Sequence, residues 1–148
     1  MLRKALVAPH EHKDDLDAIA NLARRCRLDA LIATNTTIER KGLSLPPNDV
    51  EAFGAGGLSG DPLRQRARDV TAYLARRLNK EVPLISVGGI RTAEEAYARI
   101  RLGACAVQVY SALIFEGPFL ALRLARGLDR LLQKDGFSHL SEAIGVDL

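Results

Sequence analysis

Four short stretches of this 148-residue chain carry groups that could hold a ligand: Thr34-Asn35-Thr36-Thr37, Gly56-Gly57-Leu58-Ser59-Gly60, Gly88-Gly89 and Tyr110-Ser111. Gly88-Gly89 ends an apolar run and precedes a helical pattern by a few residues. Glycine lets the backbone approach an anion closely, so that N–H groups can point at phosphate oxygens. The plainer reading of the same dipeptide is a turn at a strand end. Tyr110-Ser111 closes the next apolar run, and the segment after it could present a helix N-terminus. Two such features on consecutive strand–helix units point to a phosphate site, because the loops after the last two strands of parallel barrels often form one. Thr34 to Thr37 place hydroxyls and an amide just past a third apolar run. An amide donates and accepts at once, which suits a planar ligand with alternating donors and acceptors such as a pyrimidine. A polar turn is the alternative.

Other reactive residue types offer less. His10 and His12 have no Cys or Ser partner at a sensible spacing and are a poor metal pair, and His139 lies in the tail, so a catalytic triad is not supported. No side chain is expected to be catalytic by itself, and no metal site is expected. Cys26 and Cys105 form neither metal-ligand spacing nor a disulfide framework. Cys105 reads as a small core residue, and a reducing cytoplasmic setting fits. No signal peptide is visible, and no apolar run approaches the roughly 20 residues of a membrane span.

The elements that must position these groups read as four strand-then-helix units. The first strand is Ala5 to Ala8, ended by Pro9, with a helix from about Asp14 to Cys26 whose Leu16, Ile19, Ala20 and Ala23 recur at helical spacing. The second is Ala30 to Thr34, continuously apolar as in strands buried on both faces. A long loop from Asn35 to Gly60 follows, of the kind usually functional or mobile. Asp61 as N-cap and Pro62 at the first helical position open a helix to about Leu78. The third strand is Val82 to Val87. Thr92 and Glu95 form a capping box for a helix ending near Gly103. The fourth strand is Ala104 to Val109, followed by a loop Tyr110-Ser111-Ala112, a short apolar stretch, a last helix opened by Gly117-Pro118 and ending near Lys134, and a short capping tail from Gly136 to Leu148.

Such units demand parallel strands and right-handed crossovers. The fold class is α/β, and two architectures fit: a small open doubly wound sheet, or about half of a (β/α)8 TIM barrel, since a full barrel takes about 250 residues. The chain is read as one domain over residues 1–148. With 47% hydrophobic residues a packed core forms, and with 5% aromatics and no Trp it must rest on Leu, Ile, Val and Ala. The net charge of +3 comes from arginine runs at Arg24-Arg25, Arg64 to Arg68 and Arg76-Arg77. These read as solvated helix faces; no aromatics among them could stack on bases, so nucleic acid is not expected as a partner.

Several motifs in order make the pattern specific: Leu31-Ile-Ala-Thr-Asn-Thr-Thr37, Gly56-Gly-Leu-Ser-Gly-Asp-Pro-Leu63, Pro83-Leu-Ile-Ser-Val-Gly-Gly-Ile90 and Val107-Gln-Val-Tyr-Ser111, then Gly117-Pro118, Gly136-Phe137 and Glu142-Ala-Ile-Gly145. Together they resemble the C-terminal half of class 2, quinone-dependent dihydroorotate dehydrogenases, over nearly the whole chain. The resemblance implies a (β/α)8 barrel with FMN at its C-terminal face. It implies oxidation of dihydroorotate to orotate in pyrimidine biosynthesis, with quinone reoxidising the flavin. Thr34 would touch the flavin, Gly60 would line its site, and Asn35 and Thr36 would hydrogen-bond the pyrimidine. Gly88, Gly89, Tyr110 and Ser111 would hold the FMN phosphate, through backbone N–H groups and the Ser111 hydroxyl. The family is cytoplasmic or peripheral to the inner membrane.

Departures from the family accompany the match. The family's first half, with its serine base and part of the flavin cradle, finds no counterpart here, nor does the N-terminal helical element that reaches quinone and membrane. Where the family has lysine before Val/Ile-Ala-Pro-Asp, Leu6 precedes Val7-Ala8-Pro9 and His10 replaces the acid. Lys4 lies two residues back, on the same strand face but one layer deeper. Arg66-Ala67-Arg68 replaces the usual small hydroxyl residues. The expectation is a flavoenzyme portion inactive alone. The alternative is a non-catalytic phosphate- or FMN-binding half-barrel that assembles as a homodimer or with an N-terminal partner, because half a barrel leaves two strand edges unpaired.

Overall fold

A computed structural model describes residues 3–9, 12–41, 43–52 and 54–148; His10, read above against a family acid, lies outside them. The chain runs β1 (Lys4–Val7), α1 (Lys13–Arg25), β2 (Ala30–Ala33), α2 (Pro47–Ala52), a 3-10 turn (Asp61–Leu63), α3 (Arg64–Leu78), β3 (Leu84–Val87), α4 (Ala93–Arg101), β4 (Ala106–Gln108), α5 (Ser111–Glu116), α6 (Leu120–Lys134) and α7 (Leu140–Ala143). The four strands form one parallel sheet in the order β1-β2-β3-β4. An α/β arrangement with sequential parallel neighbours is part of a barrel wall rather than a doubly wound sheet, in which the order would reverse at a switch point.

Register fixes the two faces of the sheet. Leu6, Ile32, Ile85 and Ala106 stand side by side in one row, and Val7, Ala33, Ser86 and Val107 in the next. Because side chains alternate, the first row faces one side and the second the other. The second side is covered. Val7, Leu31, Ala33 and Leu84 are buried with Leu16, Ala20 and Ala23 of α1 and Val70, Leu74 and Leu78 of α3. Around α4, Tyr97 and Ile100 pack with Leu128 and Leu131 of α6 and with Ala143 of α7. The first side is open among the described residues: Leu6 is 53% exposed, and Ala106 and Gln108 are exposed. β2, the strand expected to be buried on both faces, is buried except at half-buried Ile32, which faces the open side; the exposed positions lie on β1 and β4. A continuous apolar run cannot tell a covered face from one that lines a barrel interior.

Local chemistry explains where the elements stop. The fourth strand starts later than its apolar run because Ala104 N–H turns back to Arg99 O at 3.0 Å, and past β2 Asn35 N–H still bonds β1 at Val7 O at 2.8 Å. The long loop holds α2 and a bridge in which Thr37 and Leu58 exchange backbone hydrogen bonds at 3.0 and 2.7 Å. Asp61 is the first residue of the 3-10 turn, with Gly60 as its N-cap; its carboxylate reaches Arg91 at 3.1 Å instead of capping. Only half of the Thr92 capping box forms. The Thr92 hydroxyl accepts from Glu95 N–H at 3.2 Å, but the Glu95 carboxylate is drawn to arginines. Ser111 belongs to α5 rather than to a loop. Cys105 is half-buried and Cys26 exposed. His139 caps α7.

Candidate functional site

A cavity of about 790 Å³ opens at the C-terminal ends of the strands, within the usual size of a cofactor or substrate pocket. Thr34, Asn35, Thr36, Gly60, Gly88, Gly89, Tyr110 and Ser111 all line it; of the four candidate stretches only Thr37 and Gly56 stay outside the lining. The walls also include Leu6, Ile32, Val87 and Gln108 from the open face of the sheet and Asp61 and Arg91 at the rim, which sequence reasoning did not single out. Lys4, one step down the same face as Leu6, is not part of the lining.

β2 delivers the polar wall. Thr34 is 3% exposed and its N–H donates to Val87 O at 2.9 Å; the peptide bond before it is cis. Its hydroxyl oxygen is buried without a hydrogen-bond partner among the described residues. Such a group costs about 1–3 kcal/mol unless something supplies the bond. Asn35 Oδ1 accepts from Thr36 N–H at 2.8 Å, which holds the first two exposed residues past the strand in one local turn. A side chain at Gly57 would sit 2.1 Å from Thr36 Oγ1. Glycine there lets the returning end of the long loop pass close to Thr36.

The opposite wall consists of two turns. Gly88 and Gly89 have φ of +113° and +71°, a region that L side chains rarely adopt. A methyl on Gly89 would lie 2.5 Å from Arg64 Cβ and 2.6 Å from its Cα, so this turn is packed flush on the start of α3. In the neighbouring turn the Ser111 hydroxyl lies 2.6 Å from that of Ser59, tying the Gly56–Gly60 stretch to the first residue of α5. With six residues, α5 is too short for a substantial macrodipole; what this turn can offer is individual N–H groups and the Ser111 hydroxyl, which shares its hydrogen bond with Ser59. At the rim, Arg91 bonds Asp61 at 3.1 Å and Glu116 at 2.6 Å. The Arg91 hydrogen bond, against the desolvation it suffers, holds the Glu116 carboxyl below the ordinary carboxylate range.

Behind the Gly88–Gly89 turn lies a polar cluster that the sequence reading missed. Arg99 is fully buried. It donates through Nε to Glu95 at 2.8 Å, through Nη1 to Ser86 Oγ at 2.9 Å, and through Nη2 to the carbonyls of Arg64 at 2.9 Å and Gly88 at 2.8 Å. Thr71 Oγ1 donates to Ala67 O at 2.6 Å and lies 2.7 Å from Ser86 Oγ, so Ser86 donates to Thr71 while accepting from Arg99. Arg68 adds a two-pronged pair to Glu95. Desolvation lowers the pKa of Arg99 and Glu95 opposes it; an arginine starts so high that it stays charged. The available signals were a serine inside an apolar strand and a Glu95/Arg99 pair spaced i,i+4.

This arrangement can take a phosphate on backbone donors and Ser111, a flat ring against Leu6, Ile32 and Val87, and a polar ring edge at Thr34, Asn35 and Thr36. The buried, unpartnered Thr34 hydroxyl and the glycine turns fit FMN, the group the motifs imply.

Comparison with known proteins agrees. The chain is 49% identical over 142 residues to the dihydroorotate dehydrogenase (quinone) of Thermobifida fusca and 47% identical over 141 residues to that of Nocardia farcinica, covering 96% and 95% of this chain. It spans 38% of the length of each of these relatives. Its fold matches DHODH from Eimeria tenella in complex with ferulenol with a TM-score of 0.88 at 36% identity, over 99% of this chain and 38% of that one. The ligand-free form of that protein matches with a TM-score of 0.89. The family model for dihydroorotate dehydrogenase matches residues 5–132, and the chain belongs to that family.

Proposed function

We propose that this chain forms the phosphate-binding and ring-edge portion of an FMN site serving the oxidation of dihydroorotate to orotate, with a quinone as final acceptor. The observation that carries the reading is the meeting of two turns, Gly88–Gly89 and Tyr110–Ser111, on the cavity that Thr34 also lines. Gly88, Gly89, Tyr110 and Ser111 hold the cofactor's phosphate end, Gly60 lines the flavin site, Thr34 meets the ring system, and Asn35 and Thr36 hydrogen-bond the pyrimidine. Bound FMN supplies the hydride acceptor. Among the described residues lining the cavity, the one carboxylate, Asp61, is engaged by Arg91.

The open sheet face favours a second reading, a non-catalytic FMN-binding half-barrel completed by a second copy or by an N-terminal partner. Its β1 and β4 strands are edges of the sheet, and edges invite pairing. A cytoplasmic location, or one peripheral to the inner membrane, goes with the family. No helix among the described residues is long and apolar enough to cross a membrane.

Titration of the chain with FMN and with riboflavin, followed by flavin fluorescence, tests the site. The expected result is tighter binding of FMN, since only it carries the phosphate; equal or absent binding of both would remove the reading. A turnover assay with FMN, dihydroorotate and a quinone tests the inactivity that both readings expect of the chain alone. The chain alone is expected to be inactive, and steady turnover would exclude the non-catalytic one.

A further inference from the structure

The buried Arg99 cluster stands on the far side of the Gly88–Gly89 turn from the cavity, and nothing in the proposed chemistry uses it. Burying an arginine, a glutamate and two hydroxyls costs more than apolar residues of the same volume would. Their arrangement points at the turn. Two elements meet on Arg99 Nη2, the Gly88 carbonyl and the Arg64 carbonyl, and these are the same two elements that a methyl on Gly89 would force apart. The Gly88 carbonyl and the Gly89 N–H belong to one planar trans peptide and point in opposite directions. A carbonyl held inward by Arg99 therefore sends the Gly89 N–H outward, to the cavity side. Charge adds to orientation: Arg99 and Arg68 against Glu95 leave the cluster with one net positive charge, with the Arg99 guanidinium fully buried and Arg68 partly exposed.

We infer that Arg99 is a positioning residue for an anion at the Gly88–Gly89 turn: it aims the Gly89 N–H at the anion and supplies a desolvated positive charge beneath it. The inference rests on the proposed phosphate site. Arg68 reinforces it through the two-pronged pair to Glu95. Ser86 and Thr71 form a one-way chain of hydrogen bonds that ends on Ala67 O and fixes the guanidinium in its plane. A purely structural arginine would affect FMN and riboflavin alike. A positioning arginine acts on the phosphate alone, and more on its dianion than on its monoanion.

The test is binding of FMN and riboflavin by the full chain between about pH 5 and pH 7, across the phosphate's second ionisation near pH 6. In the unsubstituted chain FMN binding should strengthen with pH and riboflavin binding should not. Arg99→Met should weaken FMN about tenfold, leave riboflavin within about twofold, and flatten the pH dependence. Arg99→Lys should recover part of the FMN affinity by restoring charge without the planar fork. Arg68 is partly exposed, so Arg68→Gln keeps the fold if Arg99→Met does not, and should weaken FMN about threefold with riboflavin unchanged. If these variants lower FMN and riboflavin equally, or lower only the melting temperature, Arg99 is structural and the inference is wrong. An unsubstituted chain that binds FMN no better than riboflavin overturns the proposed site, and this inference with it.

Discussion

On one side of the sheet, Leu31, Ala33, Leu84 and Ser86 are sealed under α1, α3 and α4; on the other, Leu6, Ala106 and Gln108 stand open. The same four strands supply both sides, one residue apart in register. The covered side carries the packing that holds the chain together, including a fully satisfied polar cluster. The open side carries cavity walls and ends at Thr34, whose buried hydroxyl has no partner among the described residues. With binding proposed at the strand ends and the open face, substitutions on the two sides should behave differently.

The largest effect is expected on the covered side. Leu74 of α3 is fully buried against the sheet, and Leu74→Ala should cost about 2–5 kcal/mol in urea unfolding while the folded fraction keeps its affinity for FMN. A marked change in affinity would show that the two sides are coupled. Gly89→Ala sits where the sides meet. Its methyl would strike the backbone of Arg64 from a left-handed conformation, so a loss of about 1–3 kcal/mol in stability should accompany an FMN affinity reduced more than about tenfold. Retention of FMN binding by this variant would detach the turn from the site.

A smaller effect sharpens the contrast from the open side. Leu6→Asp should change the stability of the dilute chain by no more than about 0.5 kcal/mol, as for an exposed position. Should the variant melt well below the parent, and the parent's melting temperature rise with protein concentration, the open face is covered in solution by a second copy. The smallest effect concerns pH and the tail. Arg101 bonds Asp147 at 2.7 and 2.8 Å and holds its carboxyl below the ordinary value, against some desolvation. A depressed carboxylate pKa stabilises the fold above the unfolded value near about 3.9, and that stability is lost as pH falls through the folded value. The melting temperature of Asp147→Asn should therefore lie below the parent's at neutral pH and converge with it below about pH 4. A constant offset down to about pH 2 would rule out the ion pair as its source.

Much of this was legible because it is local. Strand–helix alternation follows from runs such as Ala30 to Ala33 and from helical spacing in α1, and the glycine turn and Tyr110-Ser111 announce themselves at strand ends. What stayed hidden is long-range. Nothing near Arg99 in sequence shows that Gly88, Arg64 and Ser86 converge on it, since that needs β3, α3 and α4 packed together. Asp61 read as a helix cap because its competitor, Arg91, is 30 residues away. Glu95 read as half of a capping box for the same reason, with Arg68 lying 27 residues back. Which face of an apolar strand is covered is a property of the assembly, and an alternation-free run such as Leu31-Ile32-Ala33 carries no record of it.

The central claim is that the turns after β3 and β4 receive the phosphate of a flavin. Backbone amide chemical shifts, recorded on the isotopically labelled chain as FMN is added, test it residue by residue. The account predicts the largest shifts at Gly89 and Ser111, smaller ones at Thr34 to Thr36, and none at Ala20 on the covered side. Shifts that spare Gly89 and Ser111 while FMN binds elsewhere would contradict it.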